Sequence, residues 1–140
     1  MDHKNGFNLI RMREGDKWKT AFRTHYGLFK FQVMPFGLTN APSIFQDMMN
    51  HILSDLLDAG VIAYMDDILV YGKTEEEHDG QVEEVLKRLQ KNQLAVSPEK
   101  GAWKTQDVEF LGYVIGKDGI KMSNEKVEAV LGWIIPSSLT

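Results

Sequence analysis

Two adjacent aspartates, Asp66 and Asp67, are the residues of this sequence with the clearest potential for chemistry. They separate two short apolar runs, residues 61–65 and 68–71, which predict a buried β-hairpin with both carboxylates at its tip. Burying two carboxylates costs several kcal/mol unless a cation, hydrogen-bond donors or water compensate. A hard divalent ion such as Mg²⁺ takes oxygen ligands, which makes the pair a candidate metal site. The alternative is a solvated β-turn, in which aspartate is common, although the apolar flanks count against it.

The remaining titratable residues form no pattern of their own. Asp2, taken alone, is expected to be a solvated terminal residue, and the four histidines show no metal-ligand spacing. The absence of cysteine excludes a disulfide scaffold, a cysteine-ligated zinc site and a thiol nucleophile. No glycine-rich phosphate loop and no nucleophile-elbow motif is found in the sequence.

The elements before the aspartates are predicted from periodicity and turn residues. Residues 19–25 and 28–34 predict a hairpin around Tyr26 and Gly27; in its second strand the side chain of Met34 is expected on the polar face. Asn40 is a candidate helix cap with Pro42 in the first turn. Apolar residues then recur at helical spacing and predict one buried stripe: Ile44, Phe45, Met48, Met49, Ile52, Leu53 and Leu56.

The elements after the aspartates follow the same logic. Thr74 begins a second helix with three glutamates in its first turn, where the helix dipole favours them. Residues 108–115 predict one strand, and Asp118 with Gly119 predicts a turn. Ser123 is expected to cap a last helix that ends at Pro136 and turns four apolar side chains inward: Val127, Val130, Leu131 and Ile134. Strand pairs alternating with helices predict an α+β fold, an antiparallel sheet with helices packed on one face.

Length and composition indicate an ordinary globular chain. The 140 residues fit one domain, residues 1–140; 43% are apolar and 26% are charged, which excludes low-complexity and wholly disordered classes. No apolar run could span a membrane and no signal peptide is seen, so we expect an intracellular protein, cytoplasmic or nuclear. The net charge of −4 is uneven, since residues 1–40 hold seven Lys/Arg against three acids. A basic segment of this kind could lie along a phosphate backbone, or could only aid solubility.

Several segments, taken together and in order, resemble the reverse transcriptases of gypsy-type long-terminal-repeat retrotransposons. The central one, residues 64–71 (YMDDILVY), resembles the catalytic hairpin of these enzymes. A bare pair of aspartates is a weak signal, whereas the ordered set covers nearly the whole chain. The other segments are residues 2–7 (DHKNGF), 20–24 (TAFRT), 33–46 (VMPFGLTNAPSIFQ), 97–100 (SPEK) and 110–113 (FLGY).

The resemblance implies a polymerase palm and an RNA-directed DNA polymerase reaction. Such an enzyme transfers a nucleotide to a primer 3′-OH, as directed by an RNA or DNA template, and releases pyrophosphate. In the family two Mg²⁺ ions, for which Mn²⁺ can substitute, are held by one aspartate of the first motif and by the hairpin acids. Carried over, these ligands are Asp2 and Asp66, with Asp67 contributing less. The implied partners are a template–primer and deoxynucleoside triphosphates.

Further positions acquire roles only through this resemblance. Five residues match those beside the incoming nucleotide: Phe7, Phe36, Gly37, Met65 and Lys100. Phe7 matches the aromatic residue that rejects a 2′-OH and could equally pack in the core, and Lys100 could equally be a solvated lysine. Four residues match those against the primer strand: Tyr64, Leu111, Gly112 and Tyr113. The last three could also be a strand with a bulge.

The chain is expected to be a fragment of such a polymerase. Relative to the family it lacks the N-terminal part of the fingers, the thumb and the ribonuclease H region, so isolated activity is expected to be weak or absent. The alternative is a retrotransposon-derived palm module reused as a non-catalytic protein- or nucleic-acid-binding domain. Surfaces that normally meet fingers and thumb would then be exposed, which favours self-association or a protein partner.

Overall fold

The computed structural model describes residues 6–133, apart from the side chain of Phe7, and divides the chain into two compact units, Met1–Gly101 and Ala102–Thr140. Short 3₁₀ turns occur at Gly6–Leu9, Lys17–Thr20 and Pro98–Lys100. The first unit contains β1 (Phe22–Thr24), β2 (Gly27–Phe29), α1 (Ala41–Ile52), β3 (Val61–Tyr64), β4 (Asp67–Val70) and α2 (Glu75–Lys91). The second contains β5 (Asp107–Phe110), β6 (Tyr113–Gly116), β7 (Gly119–Met122) and α3 (Asn124–Leu131).

Every strand pair in the described part of the chain is antiparallel, and the α+β class is confirmed. The strands form three separate sheets instead of one continuous sheet: β1–β2, β3–β4 and β5–β6–β7. In the first unit α1 contacts β3 and α2 contacts β4, so both long helices pack against the hairpin that bears the two aspartates. No helix within residues 6–133 has the length and apolar character needed to cross a bilayer.

The core of the first unit joins the two helices to this hairpin. Phe45, Met49 and Leu53 are fully buried, four residues apart along α1 and into the turn that follows it. This confirms the centre of the predicted apolar stripe, whereas Ile44 at its margin is exposed. Buried side chains from the other elements complete the cluster: Met34, Ala41, Val61, Ile68, Val85, Leu89 and Leu94. Each large side chain removed from water in this way stabilises the fold by about 1.5–3 kcal/mol.

The start of α2 is capped as its sequence predicts. The Thr74 hydroxyl accepts a hydrogen bond from the Glu77 N–H at 3.2 Å, and the Glu77 carboxylate accepts one from the Lys73 N–H at 3.0 Å. These bonds satisfy backbone donors that a helix leaves without intrahelical partners. The hairpin strand β4 is therefore followed by a helix with a fixed start.

An ion pair joins α2 to the segment after α1. The Arg88 guanidinium donates through two nitrogens to the Asp55 carboxylate, and its Nε donates to Glu84 at 2.8 Å. The hydrogen bonds from Arg88 lower the pKa of Asp55 from its ordinary value to about 2. The chain that leads from α1 into β3 is thus fastened to α2 at a second point.

The first hairpin differs from the prediction in its extent. Lys19 and Thr20 belong to a 3₁₀ turn, β1 begins only at Phe22, and the two turn residues are His25 and Tyr26. Met34, expected on the polar face, is almost completely buried. The reason is a change of partner, because beyond β2 the chain pairs with an earlier segment through a 2.7 Å bond from the Met34 N–H to the Ile10 carbonyl.

Two predictions for the second unit were wrong. Residues 108–115 form two strands, β5 and β6, because Leu111 and Gly112 have φ angles of 54° and 75°, the signs typical of a tight hairpin turn. In α3 the side chains of Val127, Val130 and Leu131 are exposed instead of buried, since the described part of this unit provides no core for them. Ile134 and Pro136 lie outside the described residues.

Candidate active site

The β3–β4 hairpin places Asp66 in a two-residue turn. Val61 pairs with Val70 at the open end, and Tyr64 pairs with Asp67 at the closed end, so Met65 and Asp66 connect the strands. The predicted hairpin with carboxylates at its tip is therefore present. Asp67 is the first residue of β4, and it lies beside the turn instead of within it.

The turn has a strained backbone at Met65, whose φ of 50° is uncommon for a residue with a bulky side chain. Such a residue costs about 1–3 kcal/mol and persists only where its surroundings hold it. Gln46, on α1, does so with both ends of its amide. Its Oε1 accepts from the Met65 N–H at 2.6 Å, and its Nε2 donates to the Ala63 carbonyl at 3.1 Å.

The Gln46 amide is itself oriented. Its Nε2 also donates to the Asn50 side chain at 2.8 Å, one helical turn further along α1. Because an amide can satisfy a donor and an acceptor at the same time, Gln46 fixes the two backbone groups that flank Tyr64 at the end of β3, the Ala63 carbonyl and the Met65 N–H. The turn is thereby tied to the most buried helix face of the unit.

Asp66 lies close to Gly6, the first residue that the structure describes. One of its carboxylate oxygens, Oδ1, is buried, and a β-carbon built on Gly6 would lie 3.6 Å from it. The same β-carbon would lie only 2.7 Å from the Phe45 ring. Glycine is therefore favoured at position 6, because the backbone passes directly over that ring. Gly6 therefore packs against both Asp66 and the core.

The other residues predicted near the nucleotide lie at several places in the first unit. Phe36 is 73% exposed and Gly37 has a φ of 96°, both in the loop before α1. Met65 is half-buried in the turn, and Lys100 ends an exposed 3₁₀ turn. The side chain of Phe7 lies outside what the structure describes, and so does the whole of Asp2.

Of the residues predicted to meet the primer, Tyr64 is 49% exposed beside the Met65–Asp66 turn. The others are at the β5–β6 turn of the second unit. There the Leu111 carbonyl accepts from Lys126 Nζ at 3.0 Å, and the Gly112 carbonyl accepts from the Ser123 N–H at 3.1 Å. Position 112 combines a positive φ with this close approach, so it is a true tight turn, and the bulged strand considered from sequence is wrong.

A complete metal site is not assembled within residues 6–133, where no three acidic or histidine side chains cluster. The hairpin contributes two carboxylates, those of Asp66 and Asp67. The third predicted ligand, Asp2, falls outside the described residues. Oxygen ligands of this type suit hard divalent ions such as Mg²⁺.

The sequence as a whole identifies the family of this chain. The family model "Reverse transcriptase (RNA-dependent DNA polymerase)" matches residues 1–115. The chain belongs to the reverse transcriptase family. Among curated relatives, the Tf2-3 transposon polyprotein of Schizosaccharomyces pombe is 38% identical over 138 residues, which are 99% of this chain and 10% of the polyprotein. The chain thus spans about a tenth of the length of the transposon polyproteins it matches.

Solved reverse transcriptases share the fold described above. A foamy viral protease-reverse transcriptase in complex with double-stranded DNA superposes with a TM-score of 0.86, at 28% identity over 96% of this chain and 24% of that one. A foamy viral protease-reverse transcriptase in complex with an RNA/DNA hybrid gives 0.82, at 28% identity over 96% and 18%.

Two side chains that hold the turns of this member of the reverse transcriptase family have no role predicted from the sequence. Gln46 had a detectable signal, because it precedes the buried Met49 by three residues and so lies on the apolar side of α1. A polar residue in that position calls for a hydrogen-bonding partner. Lys126 had no such signal, because it is one of many exposed residues of α3; within the described part of its unit, this helix has no buried residue.

Proposed function

We propose that this chain forms the palm of an RNA-directed DNA polymerase of the gypsy-type retrotransposon class. In this reaction the primer 3′-oxygen attacks the α-phosphorus of a deoxynucleoside triphosphate, a new P–O bond forms, and pyrophosphate leaves. The observation that supports this most directly is the position of Asp66 in the β3–β4 turn, with Oδ1 buried against Gly6.

The proposed metal ligands are Asp2, Asp66 and Asp67. Asp2 is four residues from Gly6, and four residues of extended chain span at most about 14 Å, which is long enough for Asp2 to reach the hairpin. The carboxylate oxygens suit Mg²⁺, with Mn²⁺ as a substitute. When bound, such ions favour deprotonation of the primer hydroxyl and neutralise charge on the phosphates.

The chain's own residues contribute positioning. Gln46 holds the turn so that Asp66 keeps one orientation, and the exposed Asp67 completes the acidic pair. In this proposal Tyr64 and Met65 lie against the primer end. The proposed nucleotide contacts are Phe7, Phe36, Gly37, Met65 and Lys100, and the proposed primer-strand contacts are Leu111, Gly112 and Tyr113.

The proposed partners are a template–primer duplex and deoxynucleoside triphosphates. The similarity to foamy viral protease-reverse transcriptases whose structures contain an RNA/DNA hybrid or double-stranded DNA supports the first of these. Self-association or a protein partner is proposed as well, because Val130 and Leu131 expose 63% and 80% of their surface. Sedimentation velocity tests this, and a monomer at high concentration without added protein would contradict self-association.

Primer extension on an RNA template, first with Mg²⁺ and then with Mn²⁺, tests the proposed reaction. The informative variant is Asp66→Asn, and its matched control is Asp118→Asn, which changes an exposed aspartate in the β6–β7 turn. We expect weak extension by the unchanged chain, equal extension by the Asp118 variant, and none above background by the Asp66 variant. Extension that survives in Asp66→Asn would contradict the proposal.

A second measurement is independent of turnover. Mn²⁺ binding, followed by electron paramagnetic resonance, should weaken in Asp66→Asn and stay unchanged in Asp118→Asn. Equal binding by the folded Asp66 variant would remove this residue from the metal site, whatever the outcome of the extension assay.

A further inference from the structure

The β5–β6 turn is held by a lysine from the following helix. Lys126 extends from α3 over the turn, where its Nζ donates to the Leu111 carbonyl at 3.0 Å. The ammonium also lies 4.9 Å from the centre of the Tyr113 ring, within range of a cation–π interaction. A single side chain thus contacts the residues on both sides of Gly112.

The absence of a side chain at Gly112 leaves room for the Lys126 side chain beside the turn. A β-carbon at position 112 would lie 2.2 Å from Lys126 Cε, so any other residue would displace the lysine. The backbone of α3 adds a further bond, because the Ser123 N–H donates to the Gly112 carbonyl at 3.1 Å. Both carbonyls of the turn are therefore occupied by the first residues of the helix.

The turn needs such support because Leu111 has a φ of 54°. A branched side chain in the left-handed region is disfavoured, and the preferred pair for a turn of this kind is Asn-Gly. The hydrogen bond from Lys126 stabilises the Leu111 carbonyl in the orientation that the strained φ imposes.

We propose that Lys126 is a positioning residue for primer binding: it sets the conformation of the Leu111–Gly112 turn and so the affinity for the primer strand. This inference rests on the proposed function, in which that turn meets the primer. Lys126 acts through the turn backbone and through Tyr113, and its own charge is not the group that recognises the strand.

The test compares binding of a fluorescently labelled RNA/DNA primer–template by Lys126→Met, Lys126→Arg and the control Lys117→Met. Lys117 is an exposed lysine at the other end of β6, so its variant loses the same charge. We expect affinity to fall about tenfold in Lys126→Met. Lys126→Arg should recover most of it, because arginine also donates to a carbonyl and stacks on an aromatic ring. Lys117→Met should bind as the unchanged chain does.

A double-mutant cycle separates positioning from direct phosphate contact. Leu111→Asn introduces the pair preferred by the turn, so removal of Lys126 in that background should cost less than twofold relative to Leu111→Asn alone. A tenfold loss that persists in the Leu111→Asn background would overturn the positioning role and indicate a phosphate contact.

The remaining outcomes are also decisive. Faster hydrogen exchange of the Ser123 amide, which donates to the Gly112 carbonyl, is expected for a loosened turn in Lys126→Met, in a variant with an unchanged circular dichroism spectrum. Equal duplex affinity of Lys126→Met and the unchanged chain would overturn this inference while leaving the proposed function in place. Absence of duplex binding by the unchanged chain would overturn both.

Discussion

The β3–β4 and β5–β6 hairpins have the same kind of strained turn, but different side chains stabilise the two turns. Each closes with two residues, and each has a large residue at positive φ in the first place, Met65 at 50° and Leu111 at 54°. In the first hairpin a neutral amide, that of Gln46, accepts from the N–H of the strained residue and donates to the carbonyl of Ala63, two residues earlier. In the second, the cation of Lys126 donates to the carbonyl of the strained residue.

The difference follows from where the two turns lie. The first rests on a buried helix face beside Phe45, where a lysine would lose its hydration and a neutral amide satisfies two backbone groups at a lower desolvation cost. The second is solvent-exposed, so an ammonium group can keep part of its hydration there. The partly buried turn is therefore supported by a neutral amide, and the exposed turn is supported by an ammonium group.

Substitutions in the two turns should differ most in their effect on the rate of primer extension. Asp66→Asn is expected to lower the rate of primer extension about 10³-fold without lowering the melting temperature, because it removes a charge from the reacting centre and leaves the backbone bonds in place. Gly112→Ala should raise the KM for the primer–template with a smaller change in kcat. Steady-state kinetics with both substrates would measure this, and a pure KM effect of Asp66→Asn would contradict the assignment.

Removing the amide of the first turn should have the largest effect on stability. Gln46→Met leaves the Met65 N–H and the Ala63 carbonyl without their partner in a partly buried place, at a cost of about 2–3 kcal/mol. Urea unfolding followed by circular dichroism measures the loss. The control is Gln90→Met, an exposed position on α2, which should change stability by less than about 0.5 kcal/mol. Equal effects of the two substitutions would refute the role of Gln46.

The same logic predicts a smaller stability effect at the second turn. Gly112→Ala places a β-carbon at a φ of 75° and against Lys126, which should cost about 1–2 kcal/mol. The lysine end is flexible and can move away, so the loss should be below that of Gln46→Met. Urea unfolding measures this loss. The control is Gly80→Ala, because Gly80 lies in α2 with open space around its backbone, and this substitution should increase the stability of the protein.

Acid should weaken the ion pair between Asp55 and Arg88, which joins α2 to the segment after α1. The pKa of Asp55 is lowered to about 2 by Arg88, so the pair stabilises the fold above the ordinary pKa of 3.8, and that contribution disappears as the pH falls through 2. Asp55→Asn should flatten this acid limb of the unfolding profile. The Asp55 side chain is 67% exposed, so the effect is small and added salt should reduce it. An unchanged acid limb in the variant would exclude this pair as its source.

The first unit was largely predictable from sequence because its signals are local and agree with its packing. The stripe through Phe45, Met49 and Leu53 and the cap at Thr74 each follow from spacing alone. The hairpin around the aspartates was predictable because apolar runs flank a polar turn. The burial of Met34 was not, because it depends on pairing with Ile10, a distant segment with no matching signal.

The second unit was less predictable because it breaks local rules. A leucine at positive φ gives no turn signal, so residues 108–115 looked like one strand. The apolar spacing in α3 predicts a buried face, yet burial depends on what covers a helix and cannot be judged from its own residues. For the candidate site, the position of Asp66 in a hairpin turn was predictable from sequence, whereas the support by the Gln46 amide depends on a contact between α1 and that turn.

The order of the core residues along the chain has a consequence for biosynthesis. The buried apolar cluster is built from residues between Met34 and Leu94, and its helices and hairpin follow one another directly. Contacts between neighbours in sequence form quickly, since little chain entropy is lost in closing short loops. A nascent chain can therefore complete this cluster soon after Leu94 leaves the ribosome. The β3–β4 turn would then be set before the β5–β6 turn has been synthesised.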